Sequence, residues 1–414
     1  MPKLPSDNHS VPAKLKRTLT LPYVVLYGLG VTVGAGIYVL LGEVITRAGH
    51  FAPVSFIIAG LVMLLPAACF AELTGRMPFA AAEAHFVGTG FKSPKLFLLV
   101  GLAVAIVGLI SSAAIAHGAV GYLSQLIDWP IIALLIMVIL ATGLVSGIEI
   151  RNSIAMAGLL TLIEVGGLLS IVVGSIWAGN DLGAQALKAV PTSMSPMLWN
   201  GIAASSLLAF FAFIGFEDID SIAEETIDPQ KTLSRGIFIT LFLTVIIYVA
   251  VILAALSAVP ISEITGNNAP LTTVFAKTTA FSPLIITLIA IVATVNGIIV
   301  QLIMSSRVLY GLANRGSLPA VLARINSKTN TPLVATGLSV AVVVGLAIAF
   351  PINRLAEWTS AITLGIFILI CAALIRIKKE GSPAPEGTFI VPFWVPYFGI
   401  FACAALLLAG LLAG

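Results

Sequence analysis

Charged residues, cysteine and histidine are scarce in this chain. Only 9% of its 414 residues are charged and 59% are hydrophobic, whereas about a quarter of a soluble globular protein is charged. Together with a mean hydropathy of +1.10, this composition excludes an ordinary cytosolic enzyme. The three cysteines lie in apolar segments, at spacings that fit neither a disulfide framework nor a zinc site. The net charge of +3 is scattered along the chain, so we expect no nucleic-acid partner.

Catalytic and cofactor-binding motifs are missing as well. The sequence contains no GxxxxGK(S/T), HExxH or CxxC pattern, and nothing in it resembles a catalytic triad. We therefore predict no cofactor, no metal site and no enzymatic activity. Because there is no nucleotide-binding motif, any transport that the chain performs must be driven by an ion gradient or by exchange.

Apolar stretches are what the sequence has in abundance. A helix needs about 20 apolar residues to cross a bilayer, and such runs recur along nearly the whole chain. This pattern predicts an all-α polytopic membrane protein, in contact with membrane lipid, with eleven transmembrane helices. The predicted spans, numbered one to eleven, cover residues 20–46, 53–73, 95–126, 130–147, 153–178, 198–223, 235–259, 283–312, 332–350, 355–376 and 391–413.

The distribution of lysine and arginine gives the orientation of these spans. Of the 21 basic residues, 17 fall on one set of alternating loops, and only four fall on the other set. Those four are Arg47, Lys188, Lys277 and Arg354. Because basic residues accumulate on the cytoplasmic side, we expect the N-terminus in the cytoplasm and the protein in the cytoplasmic (inner) membrane.

Span one contains four glycines within residues 28–36. Each glycine inside a helix costs about 1 kcal/mol relative to alanine, so a cluster at bilayer depth needs a reason. One reason is close helix packing through small residues. The other is a discontinuous helix, whose freed backbone groups are tolerated only where they line an enclosed cavity. In that case the second half-helix begins near Gly34–Gly36, and its amides would bind a carboxylate.

Span six carries a matching disruption. Gly215 lies among bulky aromatic residues, and Glu217, Asp218 and Asp220 follow it. Paired breaks in corresponding positions of two halves indicate an alternating-access transporter with a site near the membrane midplane. Five spans separate the breaks, which predicts two inverted five-helix repeats. The predicted domains are a cytoplasmic tail (residues 1–19), a first repeat (20–178), a second repeat (198–376) and an additional helix (391–413).

Three segments around these breaks resemble the amino acid/polyamine/organocation superfamily, and most of all the bacterial homologues of cationic amino acid transporters. They are GVTVGAGIYVLL at residues 30–41, FFAFIGFEDIDSIAEETIDPQKTLSRGI at residues 210–237 and SRVLYGLANRGSLP at residues 306–319. The resemblance covers the first ten spans in order and implies the leucine-transporter-type fold. The chain departs from the family in three places: we expect eleven spans instead of twelve, the loop at residues 78–86 has alanine where relatives have glycine and tyrosine, and the fifth span has Glu164 where many relatives have lysine.

The resemblance also implies a site for a zwitterion. Its carboxylate would bind the backbone amides of the second half-helix, and its ammonium would bind carbonyls of both breaks. Phe213 and Phe216 are candidates for an aromatic lid, although packing between helices explains them equally well. The predicted substrate-binding residues are Thr32, Gly34, Ala35, Gly36, Ile37, Phe211, Phe213, Ile214, Phe216 and Asn296.

Two acidic residues inside the spans are the predicted ion-coupling groups, Glu164 and Glu217. Many proton-coupled relatives have a lysine where this chain has Glu164. A carboxylate inside the membrane is costly unless it is paired, protonated or facing water, so Glu164 is a candidate proton carrier. Its ionised form could instead hold Na⁺ together with Thr32, Thr294 and Asn296. A third reading is a structural carboxyl that bonds to a neighbouring hydroxyl.

Taken together, the sequence predicts a secondary active transporter that moves amino acids by alternating access and is coupled to protons. The alternatives are a basic amino acid or polyamine exchanger and a Na⁺-coupled amino acid symporter. The carboxylates after the break in span six favour a cationic substrate group. A passive channel would need a continuous polar lining, which the largely apolar spans do not offer. A membrane enzyme would need convergent catalytic groups at one depth.

Overall fold

The structure is a computed structural model that describes residues 17–77, 82–148, 154–326 and 328–413. These residues form α-helices and short 3₁₀ helices and contain no β-strand, only one isolated bridge between Leu19 and Thr226. The α-helices of the described residues are α1 (Leu21–Ala48), α2 (Ala52–Arg76), α3 (Ala82–Phe91), α4 (Pro94–Leu123), α5 (Ile131–Ser146), α6 (Ile154–Trp177), α7 (Leu182–Lys188), α8 (Pro196–Phe211), α9 (Pro229–Ala258), α10 (Ile261–Ile264), α11 (Pro270–Thr278), α12 (Leu284–Asn314), α13 (Leu333–Ala349), α14 (Ile352–Lys379) and α15 (Trp394–Ala413).

Eight stretches of the described residues are long and apolar enough to cross a membrane. The first of them, Leu21–Arg76, contains both α1 and α2, which correspond to predicted spans one and two. The helices α5 and α13 are shorter apolar helices and correspond to spans four and nine. The structure therefore has the all-helical, membrane-spanning character expected from the sequence.

Local sequence signals explain where several of these helices begin. Proline stands in the first turn of α1, α2, α4, α8 and α9, where its missing N–H has no helical partner to lose. Side chains cap two others: Ser93 accepts a hydrogen bond from the amide of Leu96 at the start of α4, and Asp181 accepts one from Ala184 at the start of α7.

Two groups of four helices stand out in the packing of the described residues. In the first group, α1 and α2 pack against each other and against both α8 and α9; in the second, α4, α5, α12 and α13 all pack against one another. In terms of the predicted spans, the first group holds spans one, two, six and seven, and the second holds spans three, four, eight and nine. Each group thus takes two neighbouring spans from each half of the chain.

The two groups meet along α1, which also contacts α4 and α12. Small residues allow this close approach, as membrane helices commonly require. A Cβ atom added to Gly118 of α4 would lie 2.3 Å from a methyl group of Val39, and one added to Gly297 of α12 would lie 3.0 Å from the Cβ of Ala35. The centre of α1 is therefore enclosed by both groups.

Candidate functional site

The regular backbone of α1 is interrupted at Gly34. Its backbone angles, φ −30° and ψ −109°, are non-helical, although the helix continues on both sides. Residues 32–41 around this point are all buried. Outside its own helix, a Cβ atom added to Gly34 would meet one neighbour within 4 Å among the described residues, the Oε2 atom of Glu164 at 3.8 Å. Close helix packing therefore does not account for this glycine, whereas it faces a carboxyl group directly.

The second interruption follows α8. The α-helix ends at Phe211, turns occupy residues 212–215, and a 3₁₀ helix runs over Phe216–Glu225. Gly215 has φ +120°, which side-chain-bearing residues rarely adopt. A Cβ atom added there would also lie 2.4 Å from the carbonyl oxygen of Val31. Gly215 therefore serves both the turn and the contact with α1.

The two interruptions lie against each other. A Cβ atom added to Gly36 would lie 2.6 Å from the Cα atom of Ala212, so α1 touches the turn after α8 through backbone. Tyr248 of α9 joins the same two segments. Its hydroxyl lies 2.9 Å from the carbonyl oxygen of Thr32 and 2.8 Å from that of Ala212, and its single proton is shared between them. One buried side chain thus holds both interruptions in register.

Glu164 of α6 reaches this crossing from the side. Glu164 is only 1% exposed, and its Oε1 atom has no hydrogen-bond partner among the described residues. The side chain of Asn296 on α12 lies within hydrogen-bonding reach of the carboxyl group. The buried hydroxyl of Thr32 also has no partner in the described part of the chain. The sequence-predicted residues Gly34, Glu164 and Asn296 therefore lie together, and Thr32 lies two residues before Gly34 on α1.

The hydroxyl group of Thr294, unlike that of Thr32, already donates a hydrogen bond. Its hydroxyl donates to the carbonyl oxygen of Ala290 at 2.7 Å within its own helix. An acceptor role for a cation stays available to it, because a hydroxyl oxygen has two lone pairs.

Glu217 lies in the 3₁₀ helix that follows the break in span six, two residues after Gly215. Its Oε2 atom accepts a hydrogen bond from the amide of Gly215 at 2.9 Å. It lines a cavity of about 20 Å³ together with Ile214, Asp218 and Glu83. Glu217 and Glu164 therefore occupy different surroundings, one at this cavity and one beside Gly34.

The aromatic residues of the break are fully buried in ring clusters. Phe213 packs against Phe56 and Tyr248, with ring centroids 6.2 Å and 5.3 Å away. Phe216 packs against Phe70 and Phe367, both at 5.7 Å. These contacts fit the packing interpretation of the two rings, and their role as a lid stays a prediction. Of the remaining predicted residues, Ala35, Ile37 and Phe211 are buried.

A second cavity, of about 200 Å³, lies near the C-terminal ends of α1 and α4. Its walls include Glu43 and His117. The Nε2 atom of His117 lies 3.2 Å from the carbonyl oxygen of Phe350, so this histidine has a structural partner as well as a cavity to face.

Two residues were not predicted from the sequence: Tyr248 at the crossing of the two interruptions, and Glu83 at the smaller cavity. Tyr248 lies within the long apolar α9, and nothing in the local pattern marks it as a contact of residues 212 and 32. Glu83 was visible as a charge in the loop after span two, but its position opposite Glu217 depends on how α3 folds back. Residues 78–81 of that loop lie outside the described residues.

Comparison with known proteins identifies the family. The chain matches the model of the amino acid permease family over residues 19–414. It belongs to that family. Permeases of this family are membrane transporters and not enzymes, and the resemblance to the amino acid/polyamine/organocation superfamily is confirmed.

Two curated relatives show how far the likeness extends. The vacuolar cationic amino acid transporter 2 of Arabidopsis thaliana is 30% identical over 406 residues, which cover 90% of this chain and 62% of that protein. The branched-chain amino acid permease of Bacillus subtilis (strain 168) is 26% identical over 415 residues, covering 95% of this chain and 88% of the relative. The chain thus spans less than two thirds of the length of the plant relative.

A solved structure shares the fold. The crystal structure of a mutant manganese transporter from Eremococcus coleocola superposes with a TM-score of 0.67 at 14% sequence identity, covering 95% of this chain and 85% of that one. At this identity the likeness concerns the fold alone.

Proposed function

We propose that this permease is a secondary active transporter that carries an amino acid across the membrane by alternating access, coupled to protons. The observation that carries the proposal is the contact between two interrupted helices, at Gly34–Gly36 of α1 and at residues 212–215 after α8. Unpaired backbone groups at membrane depth are tolerated only where they are enclosed, and there they serve as ligands. The amino acid permeases among its relatives support the substrate class.

The chemistry at the crossing suits a zwitterion. The amides of Gly34, Ala35 and Gly36 begin the second half of α1, and the N-terminal end of a helix attracts a carboxylate. Carbonyls of Thr32, Phe211 and Ile214 are the proposed acceptors for the ammonium group. The Thr32 carbonyl shares the Tyr248 proton with Ala212, so it keeps capacity to accept a further hydrogen bond.

Glu164 is the proposed coupling group, because it is buried beside Gly34 with one carboxyl oxygen that has no partner among the described residues. A carboxyl group in this position can take up a proton when substrate binds and release it on the other side of the membrane. Substitution Glu164→Gln would fix the neutral form. Uptake into proteoliposomes should then lose its dependence on an imposed pH gradient, whereas an unchanged dependence would refute this role. A requirement for Na⁺ that the same substitution abolishes would favour the sodium-coupled alternative instead.

The finer architecture is part of the proposal. We place eleven spans in two inverted five-helix repeats, residues 20–178 and 198–376, followed by a helix at residues 391–413. The helices α1 and α8 with its following turn are the broken first and sixth spans of the leucine-transporter-type fold. The two four-helix groups support this arrangement, since each takes the same pair of spans from both repeats. In this proposal the protein lies in the inner membrane, and its basic loops and the tail at residues 1–19 face the cytoplasm.

Counterflow in proteoliposomes tests the function. Vesicles loaded with an unlabelled amino acid should accumulate the labelled amino acid transiently, because a carrier returns loaded and exchanges one molecule for another. A channel gives no such overshoot. Absence of counterflow for every proteinogenic amino acid, with protein shown to be folded by size exclusion, would contradict the proposal.

A basic amino acid or polyamine exchanger is the second candidate. It is favoured by the negative charge that Glu83, Glu217 and Asp218 would place near the break after α8, which would attract a cationic substrate even though the cavity they line is too small to hold one. Lysine and its decarboxylated product, cadaverine, distinguish the two cases, because only lysine offers a carboxylate to the amides of α1. Equal counterflow with both would favour the exchanger, and counterflow restricted to amino acids would exclude a polyamine substrate.

A further inference from the structure

Three acidic side chains from two separate segments meet at the smaller cavity. Glu83 comes from α3, and Glu217 and Asp218 come from the 3₁₀ helix that follows the break after α8. Glu83 is 9% exposed and Glu217 is 8% exposed, so water reaches neither freely. Each of the three carboxyl groups lies close enough to feel the charge of at least one of the others. Fully ionised, they would place three like charges around one small volume.

The cavity also presents polar groups that are not acids. Gln301 of α12 and Thr363 of α14 line it. Thr363 is 2% exposed, and its hydroxyl has no hydrogen-bond partner among the described residues. A buried hydroxyl without a partner is costly, so its position at this cavity points to a ligand that it can bond. Thr363 lies on a different helix from the three acids, so its unpaired hydroxyl is a second and separate indication of a ligand.

No basic side chain of the described residues lines the cavity. The helix α3 packs against α4 and α14, and the cationic groups of the neighbouring elements are engaged or exposed elsewhere. Arg376 stacks on Phe91, Arg315 contacts His85, Lys378 and Arg76 pair with Glu72, Lys92 pairs with Glu380, and Lys95 and Arg307 are exposed. The 3₁₀ helix that carries Glu217 and Asp218 also packs against α1 and α9; Tyr27 of α1 hydrogen-bonds to Ser221, and Lys231 and Arg235 of α9 are exposed. The three carboxyl groups therefore lack a fixed counter-ion from these elements.

The size of the cavity limits what can occupy it. A volume of about 20 Å³ takes one water molecule and is too small for the ammonium-bearing side chain of a basic amino acid. Like charges this close cannot all be ionised, so a proton that the group shares is the simplest neutralising species. Burial raises the pKa of the Glu83 carboxyl above its ordinary value, which also favours a protonated group at this cavity.

We propose that Glu83, with Glu217, Asp218 and Thr363, forms a second proton-binding site, separate from Glu164, in which the acids share a proton and one bridging water molecule. The proposal rests on the proposed function, since a second proton site matters to a transporter that moves protons. In the proposed orientation, the site faces the cytoplasm. A proton leaving it at the higher pH of the cytoplasm would mark the inward step of the cycle.

Infrared spectroscopy of the full chain in lipid nanodiscs tests this site without any transport assay. Protonated carboxyl groups have a C=O stretching band that disappears when they ionise. As pH rises through the neutral range, the wild-type spectrum should lose a band equivalent to one carboxyl group per chain, and E83Q should lose it at a lower pH because two acids repel each other there instead of three. The matched control is E380Q on the exposed end of α14, where Glu380 pairs with Lys92 at 3.0 Å; it should leave the band unchanged.

A second variant covers the case in which E83Q does not fold. Substitution Thr363→Val removes the hydroxyl that would stabilise the ionised form through the water molecule, so the midpoint of the band should move up by about half a pH unit. The proposal is overturned if E83Q titrates like wild type, or if T363V leaves the midpoint unchanged. Such a result would leave counterflow intact, and a failure of counterflow would leave the infrared band intact, so the two proposals fail separately.

Discussion

Gly36 is the residue through which the two interrupted helices touch. Substitution Gly36→Ala would bring a Cβ atom within 2.6 Å of the Cα atom of Ala212 and 2.9 Å of its Cβ atom. Because the obstacle includes backbone, the two segments must separate. We expect stability to fall by about 1–3 kcal/mol and substrate binding to be lost.

Gly166 supplies the matched control for that substitution. It lies in α6, two residues from Glu164, and a Cβ atom added there would meet nothing within 4 Å. Gly166→Ala should therefore leave binding unchanged and raise stability slightly, since alanine favours a helix by up to about 1 kcal/mol. Thermal unfolding with and without substrate measures both variants. Equal behaviour of the two would contradict the close contact at Gly36.

Tyr248 tests whether the shared hydroxyl matters beyond the packing of its ring. Tyr248→Phe keeps the ring contacts with Phe56 and Phe213 and removes the hydrogen bond to the carbonyls of Thr32 and Ala212. We expect a loss of about 1–2 kcal/mol in stability and at least a tenfold weaker substrate affinity.

Its control is Tyr122→Phe, which removes a buried hydrogen bond to the carbonyl oxygen of Tyr38 at 2.8 Å, in the continuous part of α1, and a hydrogen bond with the backbone of Leu271. This variant should lose stability to a similar extent but keep substrate affinity. Binding measured by isothermal titration separates the two; identical affinities for both variants would assign Tyr248 a purely structural role.

At the scale of helices, a buried charge network fixes α2, α14 and the segment before α15. Glu72 is fully buried and accepts hydrogen bonds from Arg76 at 2.9 Å and from the amide of Val391 at 2.8 Å, and it pairs with Lys378 at 2.8 Å. Removing one partner of such a network leaves other charges buried and uncompensated.

Glu72→Gln should therefore lower the free energy of unfolding by about 3–5 kcal/mol. The control is Lys277→Gln, because Lys277 and Glu263 form an exposed pair at 3.7 Å, and exposed pairs contribute little. Urea or thermal unfolding in detergent compares the variants. A Glu72→Gln protein as stable as Lys277→Gln would show that the network contributes no net stability.

The sequence predicted the long helices well because their apolar length is a local property. Span two, for example, was predicted over residues 53–73, and α2 covers Ala52–Arg76. The short helices α3, α7, α10 and α11 were not predicted, since they are too short to give an apolar run. Glu164 could be predicted as a candidate coupling group because a lone acid in an apolar helix is conspicuous, and its role stays a prediction. Tyr248 and Glu83 were not, because their roles arise from contacts with residues distant in the chain.

At the scale of the whole molecule, the two cavities differ about tenfold in volume. The larger, about 200 Å³, includes Ser124 and His117, and the smaller, about 20 Å³, includes Thr363. In the proposed orientation the larger cavity opens towards the outside and the smaller one lies on the cytoplasmic side. With that orientation we expect the conformation to be more accessible from the outside than from the cytoplasm.

Cysteine accessibility tests this asymmetry. In intact cells, S124C should react with a membrane-impermeant maleimide, whereas T363C should not react. The native cysteines of the described residues are all buried, which keeps the background low. Reaction of S124C only after the cells are permeabilised would contradict the proposed orientation.

The central claim is that the two interrupted helices bind a small zwitterion through their backbone groups. The most direct measurement is calorimetric titration of the purified protein with three matched ligands: an amino acid that gives counterflow, the amine without its carboxylate and the acid without its amine. We expect each truncated ligand to bind about a hundredfold more weakly than the amino acid, because it leaves buried backbone groups unpaired. Binding of the amine as tight as that of the amino acid would contradict this claim.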